Sequence, residues 1–321
     1  MYRTTLRAAL TRRHSARRLA VAIAVAIPAQ ASAQPVEFHV SFDASANVLT
    51  GAERAGIESH VQAAGQHWMN VIAVPDARFI EIEIAIADIP TANGGSLIAA
   101  YIGQIGGRDA YEQGVTHELR VGDDPNGADP DARITIGLDY LRNELWFDPD
   151  PMARTAPVPA NRTDAMSTLL HEFGHILAYN GWADLVTGEP NPDYWSVFDS
   201  WFAPGVSPTF NGPAAVTAWG VPPELTVGNI FHWANGDVIA DARCETGTAA
   251  WHFGTPSPRA CSAPPSGDRP RDVEGQPGLV DQLMNGVVFY RGTRYYISPL
   301  DVGVLIDVGL IADGIFADGF E

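Results

Sequence analysis

The stretch "HEFGHILAYNGW", residues 171–182, decides how the rest of the chain is read. Two histidines, His171 and His175, stand four apart, with Glu172 directly after the first. Residues four apart on a helix share a face, with Cβ atoms roughly 5–6 Å apart. Two imidazoles placed that way can reach one Zn²⁺ at about 2.0–2.1 Å. Glu172 then lies on the flank of that face. It can touch a water activated by the metal without competing as a ligand. The metal lowers the pKa of the water, Glu172 takes its proton, and the hydroxide attacks a polarised carbonyl. The bare pattern has three fixed positions and also arises by chance, so its setting matters.

That setting is a helix. Upstream, "VPANRTDAMSTLL" offers Asn161 or Thr163 as cap, with Asp164 favouring the positive end. Ala165, Leu169, Phe173 and Leu177 form one apolar stripe, and Asn180-Gly181 is a stop signal. The expected helix runs from about 163 to 179, and with the glycine of the common extended motif replaced it can run on to Asn180-Gly181.

Strands are expected before it. "VEFHVSFDA" (36–44) alternates apolar and polar, and "RFIEIEIAIADI" (78–89) alternates strictly. Between them Ile57, Val61, Ala64 and Trp68 recur near helical spacing. Weaker strands are expected at "SLIAAYI", "THELRV", "ARITIGL" and "NELWFD". The loop 122–132, "GDDPNGADPDA", is acidic and rich in turn residues. Ca²⁺ is conceivable there, but the spacing is not that of an EF-hand and nothing else in the sequence supports it; a solvated loop is preferred. After Gly181 the texture is rich in Pro, Gly and aromatics. The cluster "DYWSVFDSWF" (193–202) reads as packing, and "SPLDVGVLIDVGL" (298–310) as a helix with Ser298 as cap.

The expected fold class is α+β. A twisted mixed sheet with two long helices forms an N-terminal lobe over 34–181, ending in the metal helix. A loop-rich C-terminal lobe spans 182–312, and an acidic tail 313–321. Residues 1–33 read as an export signal: six arginines among the first 18 residues, the short apolar run "LAVAIAVAI" and a small-x-small site ending at Ala33. The run is too short to span a bilayer, so a secreted or periplasmic protein with no membrane span in the mature chain is expected. The remaining chain carries 14 basic and 38 acidic residues, all the basic ones Arg. Such a charge disfavours nucleic acid and anionic membrane as partners. Cys244 and Cys261 are the only cysteines, and in an exported protein they suggest a disulfide worth roughly 3 kcal/mol.

A catalytic zinc also needs a third protein ligand and one open position. The extended pattern HExxHxxGxxH is not met: Ala178 stands at the glycine position and Gly181 at the third histidine. Downstream, His232 in "GNIFHWANGD" and His252 in "AAWHFGTP" are candidates, and Glu189 and Glu224 exist as carboxylates. His39, His60, His67 and His117 fit no ligand pattern.

The order "HEFGHILAYNGW", a distant "HW", "LMNG" and a closing "ISPLDVGVLIDVGL" resembles the leishmanolysin-like branch of the metzincin metallopeptidases. The resemblance covers about 160–321 at motif level and implies a zincin catalytic domain. By it, His232 is the third ligand, with His252 the alternative, and Met284 forms the methionine turn beneath one catalytic Zn²⁺ without coordinating it. Tyr290, Tyr295 and Tyr296 follow Met284; each is a candidate donor to an oxyanion, though packing is the simpler role for each. "ARITIGLDYL" is either a structural strand or the edge against which an extended peptide lies. The implied activity is a secreted endopeptidase acting on peptide or protein substrates. HExxH specifies metal and base rather than the bond, so a hydrolase of a non-peptide amide or ester, or a binding protein with a non-catalytic zinc, remains an alternative.

Overall fold

A computed structural model of the chain describes residues 36–74, 76–234, 266–267, 278–286 and 289–311. The expected signal segment 1–33, His252, the Cys244–Cys261 pair and the tail 313–321 lie outside the described residues.

Strand β1 (Val36–Phe42) leads through a short turn to helix α1 (Gly51–Met69). Thr50 caps α1: it accepts from the Glu53 N–H while the Glu53 carboxylate accepts from the Thr50 N–H, so two orphan donors are satisfied reciprocally. Next come β2 (Arg78–Ala87), β3 (Ala92–Ser96), β4 (Ala99–Ile105), β5 (Arg108–Gln113), α2 (Gly114–Val121), β6 (Ala132–Gly137) and α3 (Leu138–Asn143). Two-residue strands β7 (Leu145–Trp146) and β8 (Thr163–Asp164) pair just ahead of α4 (Ala165–Leu177), the helix that carries HEFGH.

The main sheet has the order β1-β2-β6-β3. β1, β2 and β6 run parallel and β3 is antiparallel to β6, so the sheet is mixed. The strict alternation in β2 sends Ile80, Ile82 and Ile84 into the core and leaves Glu81 and Glu83 on the polar face. Helices α1 and α4 cover the apolar face. Phe38 of β1 fills the space beside Gly65 of α1, where any Cβ would lie 2.5 Å from its ring, and meets Phe173 of α4 edge-on at 5.5 Å. The Trp68 indole donates to the Leu170 carbonyl at 3.0 Å and ties the two helices together. A second sheet, β4-β5-β9, includes β9 (Tyr194–Ser196).

The later half holds the pairs β10 (Phe202–Ala203) with β11 (Thr209–Phe210) and β12 (Leu225–Thr226) with β13 (Asn229–Trp233). It also holds two packed helices, α5 (Pro213–Trp219) and α6 (Pro299–Asp307). α6 starts at Ser298, with Asp301 completing the reciprocal cap. Among the described residues no helix is long and apolar enough to cross a membrane.

Five expectations are corrected. "THELRV" is not a strand but most of α2: Val115 and Leu119, four apart, are buried, and Gly122 ends the helix at φ 92°. "NELWFD" shrinks to β7. "ARITIGL" lies inside the sheet between β2 and β3, so β3 is the edge strand. Asp164 itself caps α4, accepting from the Ser167 N–H at 3.2 Å. α4 stops at Leu177, short of Asn180, because Ala178 leaves the helical region and the chain turns back.

Candidate metal centre

The site grows from α4, whose thirteen residues are all buried. His171 and His175 lie on its inner face, and β13 brings His232 to them across the fold. The three Nε2 atoms approach one another closely: 3.1 Å between His171 and His232, 3.1 Å between His171 and His175, and 3.0 Å between His175 and His232.

Each imidazole is aimed by its other nitrogen. His171 Nδ1 faces the Leu283 carbonyl at 2.8 Å, His175 Nδ1 the Tyr179 carbonyl at 2.7 Å, and His232 Nδ1 the Asn229 carbonyl at 3.3 Å. A carbonyl only accepts, so each Nδ1 carries the hydrogen and each Nε2 presents a lone pair inward. Three lone pairs at this separation repel one another unless a cation lies between them. Ligands about 2.0–2.1 Å from a tetrahedral Zn²⁺ would stand about 3.3 Å apart, close to the observed spacing. These three histidines therefore form a cluster that could hold one metal ion. Burial pushes the His171 imidazole down to about 3, with the neighbouring His175 adding to it, and burial pushes His175 down to about 4. Both rings are thus neutral, as metal ligation needs.

The early end of α4 serves this geometry. After Leu177 the chain doubles back and the Tyr179 N–H bonds the Gly174 carbonyl at 3.0 Å, which presents the Tyr179 carbonyl to His175. The Tyr179 hydroxyl donates to Asp301 of α6 at 3.0 Å. Burial raises the Asp301 carboxyl to about 6.

Met284 is fully buried against Gly174, where a Cβ would lie 2.3 Å from its sulfur. Its neighbour Leu283 supplies the carbonyl for His171. The Met284 carbonyl accepts from the Trp233 N–H at 2.8 Å, so the "LMNG" turn fixes both α4 and the strand carrying His232. Phe289 stands edge-on to His171 at 5.2 Å.

Glu172 is buried beside the ligands. Burial pushes its carboxyl up to about 8, while the backbone N–H of Gly94 donates to it and pulls the other way. Gly94 lies on the edge strand β3, and a Cβ there would stand 2.7 Å from both the Cβ and the carbonyl oxygen of Glu172. Gly94 was not singled out in the sequence; "ANGGS" reads as a turn, and only the strand pairing reveals its task.

Other expected residues fall elsewhere. Glu189 and Glu224 are exposed and outside the three-histidine cluster. The Tyr295 hydroxyl accepts from the Tyr290 N–H at 3.3 Å, and Tyr296 is exposed beneath the Arg154 guanidinium. In the aromatic cluster, Phe198 packs on Tyr179 and Phe210, which makes it part of the floor under α4. His60 bonds the Gly56 carbonyl, His67 the Pro151 carbonyl and His117 the Glu112 carboxylate, while His39 stacks on Phe79.

No protein-family model, no curated protein and no solved structure matches the chain. The site is therefore defined by its own geometry as a three-imidazole cluster that could hold one metal ion, with a buried carboxylate beside it.

Proposed function

We propose that this chain is an exported zinc-dependent endopeptidase of zincin architecture, of the leishmanolysin-like kind that its motif order resembles. The observation that carries the reading is the convergence of three Nε2 atoms, each ring fixed by a carbonyl at its Nδ1, with Glu172 next to them. A zinc ion bound there would polarise the scissile carbonyl and make water acidic enough to give up a proton near neutral pH. His171, His175 and His232 would hold it, and a fourth position would stay open to substrate, since among the described residues three protein ligands converge.

Glu172 accepts the proton of the attacking water on its carboxylate and returns it to the leaving amine nitrogen. The Gly94 N–H holds that carboxylate in place. β3, as the edge strand of the sheet beside Glu172, suits an extended peptide that adds as a further strand. Backbone-to-backbone pairing of that kind favours peptides over other amides and esters.

The test compares wild type with Glu172→Gln for zinc content and for cleavage of an unstructured protein such as casein. Full zinc in both, with cleavage reduced by about 10²–10⁴-fold in the variant, supports the proposal. Equal cleavage in both removes Glu172 from the chemistry. Zinc without cleavage in wild type leaves a non-catalytic zinc protein.

A further inference from the structure

A second cluster of acceptors lies away from the histidines, where α2 leaves toward β6. One carboxylate oxygen each from Glu118, Asp124 and Asp131 lies within 4.8 Å of the others. Glu118 and Asp131 are buried, 6% and 1% exposed, whereas Asp124 is open to solvent. Acidic groups gather often without a ligand, so the state of the buried oxygens matters more than their number. Glu118 Oε2 and Asp131 Oδ1 are both buried and meet no donor beyond the other carboxyl and the Asn126 amide. Both are acceptors, and two buried carboxylate oxygens in one place call for a positive group or a shared proton.

The protein does not supply it. Among the described residues no arginine pairs with Glu118, Asp124 or Asp131. Arg78, the guanidinium beside this corner, donates to the Glu118 backbone carbonyl at 2.9 Å and faces Asp76 at 3.7 Å. The other oxygen of Asp131 is already used by the Glu81 N–H at 2.7 Å, which holds the free oxygen inward. Asp124 Oδ1 accepts from the N–H groups of Asn126 and Gly127 at 3.0 and 2.7 Å, which folds the loop back over α2.

We propose that Glu118, Asp124 and Asp131 form a calcium site. The donors are all hard oxygens, which excludes a soft metal. They come from a helix and an irregular loop, with one side open to water; this suits the variable coordination of Ca²⁺ better than the strict octahedron of Mg²⁺. The bound ion would pin α2 to the start of β6. The arrangement without an ion is a proton shared between Glu118 and Asp131, since burial and the charges of Asp131 and Asp124 push Glu118 up to about 8.

The experiment uses the full chain, stripped of metal and reloaded with zinc, titrated with calcium chloride by calorimetry and melted with and without the ion. One calcium should bind with Kd on the order of 10⁻⁴ M or tighter, and equal magnesium should bind more weakly. The melting temperature should rise with calcium. Asp124→Asn, an exposed change that keeps an acceptor oxygen for the Asn126 and Gly127 N–H groups, should weaken binding by about tenfold, as should Glu118→Gln. His232→Ala should leave calcium binding intact, which separates this site from the zinc reading. Absence of binding heat and of any melting shift in wild type would overturn the proposal, and a higher melting temperature in Glu118→Gln without calcium would then assign the shared proton.

Discussion

Gly94 and Glu172, one on the edge strand and one on the metal helix, touch so closely that a β-carbon on the first would lie 2.7 Å from the β-carbon of the second. The N–H of the same glycine donates to the carboxylate of the proposed base. Gly94→Ala therefore has to push β3 and α4 apart. The cost to stability should be about 1–3 kcal/mol, the usual penalty of overpacking. Cleavage should fall by about 10²-fold, since a misplacement of about 1 Å is worth that much. Zinc content should stay at wild-type level, because the three imidazoles do not touch Gly94. Peptidase assay and metal analysis on the same preparation check this; zinc lost together with activity would mean that the strand supports the ligands instead.

The third ligand separates two histidines by a direct measurement. His232→Ala should weaken zinc binding by more than about 100-fold, beyond what loss of an outer-shell partner costs. His252→Ala should retain one zinc per chain. Competition with a chromophoric chelator gives both numbers, and the reverse pattern would move the site to His252.

A buried ion pair anchors the start of the metal helix. Arg154 meets Asp164 at 2.8 Å, both almost wholly buried, and also donates to the Tyr295 carbonyl at 2.9 Å. Asp164→Ala removes the cap and leaves Arg154 with an uncompensated charge, which should cost about 3–5 kcal/mol. Urea unfolding gives the value. A cost under about 1 kcal/mol would show that water reaches Arg154 and replaces the pair.

Asp301 makes stability depend on pH. Its carboxyl is raised by burial to about 6, against an ordinary value of 3.8. The folded state therefore holds this proton more tightly than the unfolded chain. The contribution is fully present below about pH 4 and is lost as pH rises through about 6, by at most about 3 kcal/mol. Asp301→Asn does not titrate and keeps one acceptor oxygen, enough for either Ser298 or Tyr179 but not both. Its deficit relative to wild type should shrink between pH 4 and 7 in urea unfolding, and a constant deficit would mean that the group is not raised.

Much of this was legible because local chemistry repeats. Strict alternation marked β2, the spacing of Ile57, Val61, Ala64 and Trp68 marked α1, and Ser298 with Asp301 marked α6. Each is a short-range pattern that needs no knowledge of neighbours. His171 and His175 were legible as neighbours on one helix face for the same reason. The errors came where neighbours decide. "THELRV" is polar enough to pass for an alternating strand, and only packing of Val115 and Leu119 makes it a helix. α4 ends at Leu177 because His175 needs the Tyr179 carbonyl, a requirement that Asn180-Gly181 does not encode. Gly94 and the meeting of Glu118 with Asp131 depend on contacts between distant segments, which spacing alone does not reveal.

Tyr179 faces both ways: its carbonyl orients His175, and its hydroxyl reaches Asp301 in α6. The carbonyl that steadies His171 also comes late in the chain, from Leu283. A growing polypeptide that has made both histidines of HEFGH still lacks the parts that aim them. Any ion capture must therefore wait for Leu283, and a chain cut short before it would hold all three imidazoles without the carbonyl that aims His171.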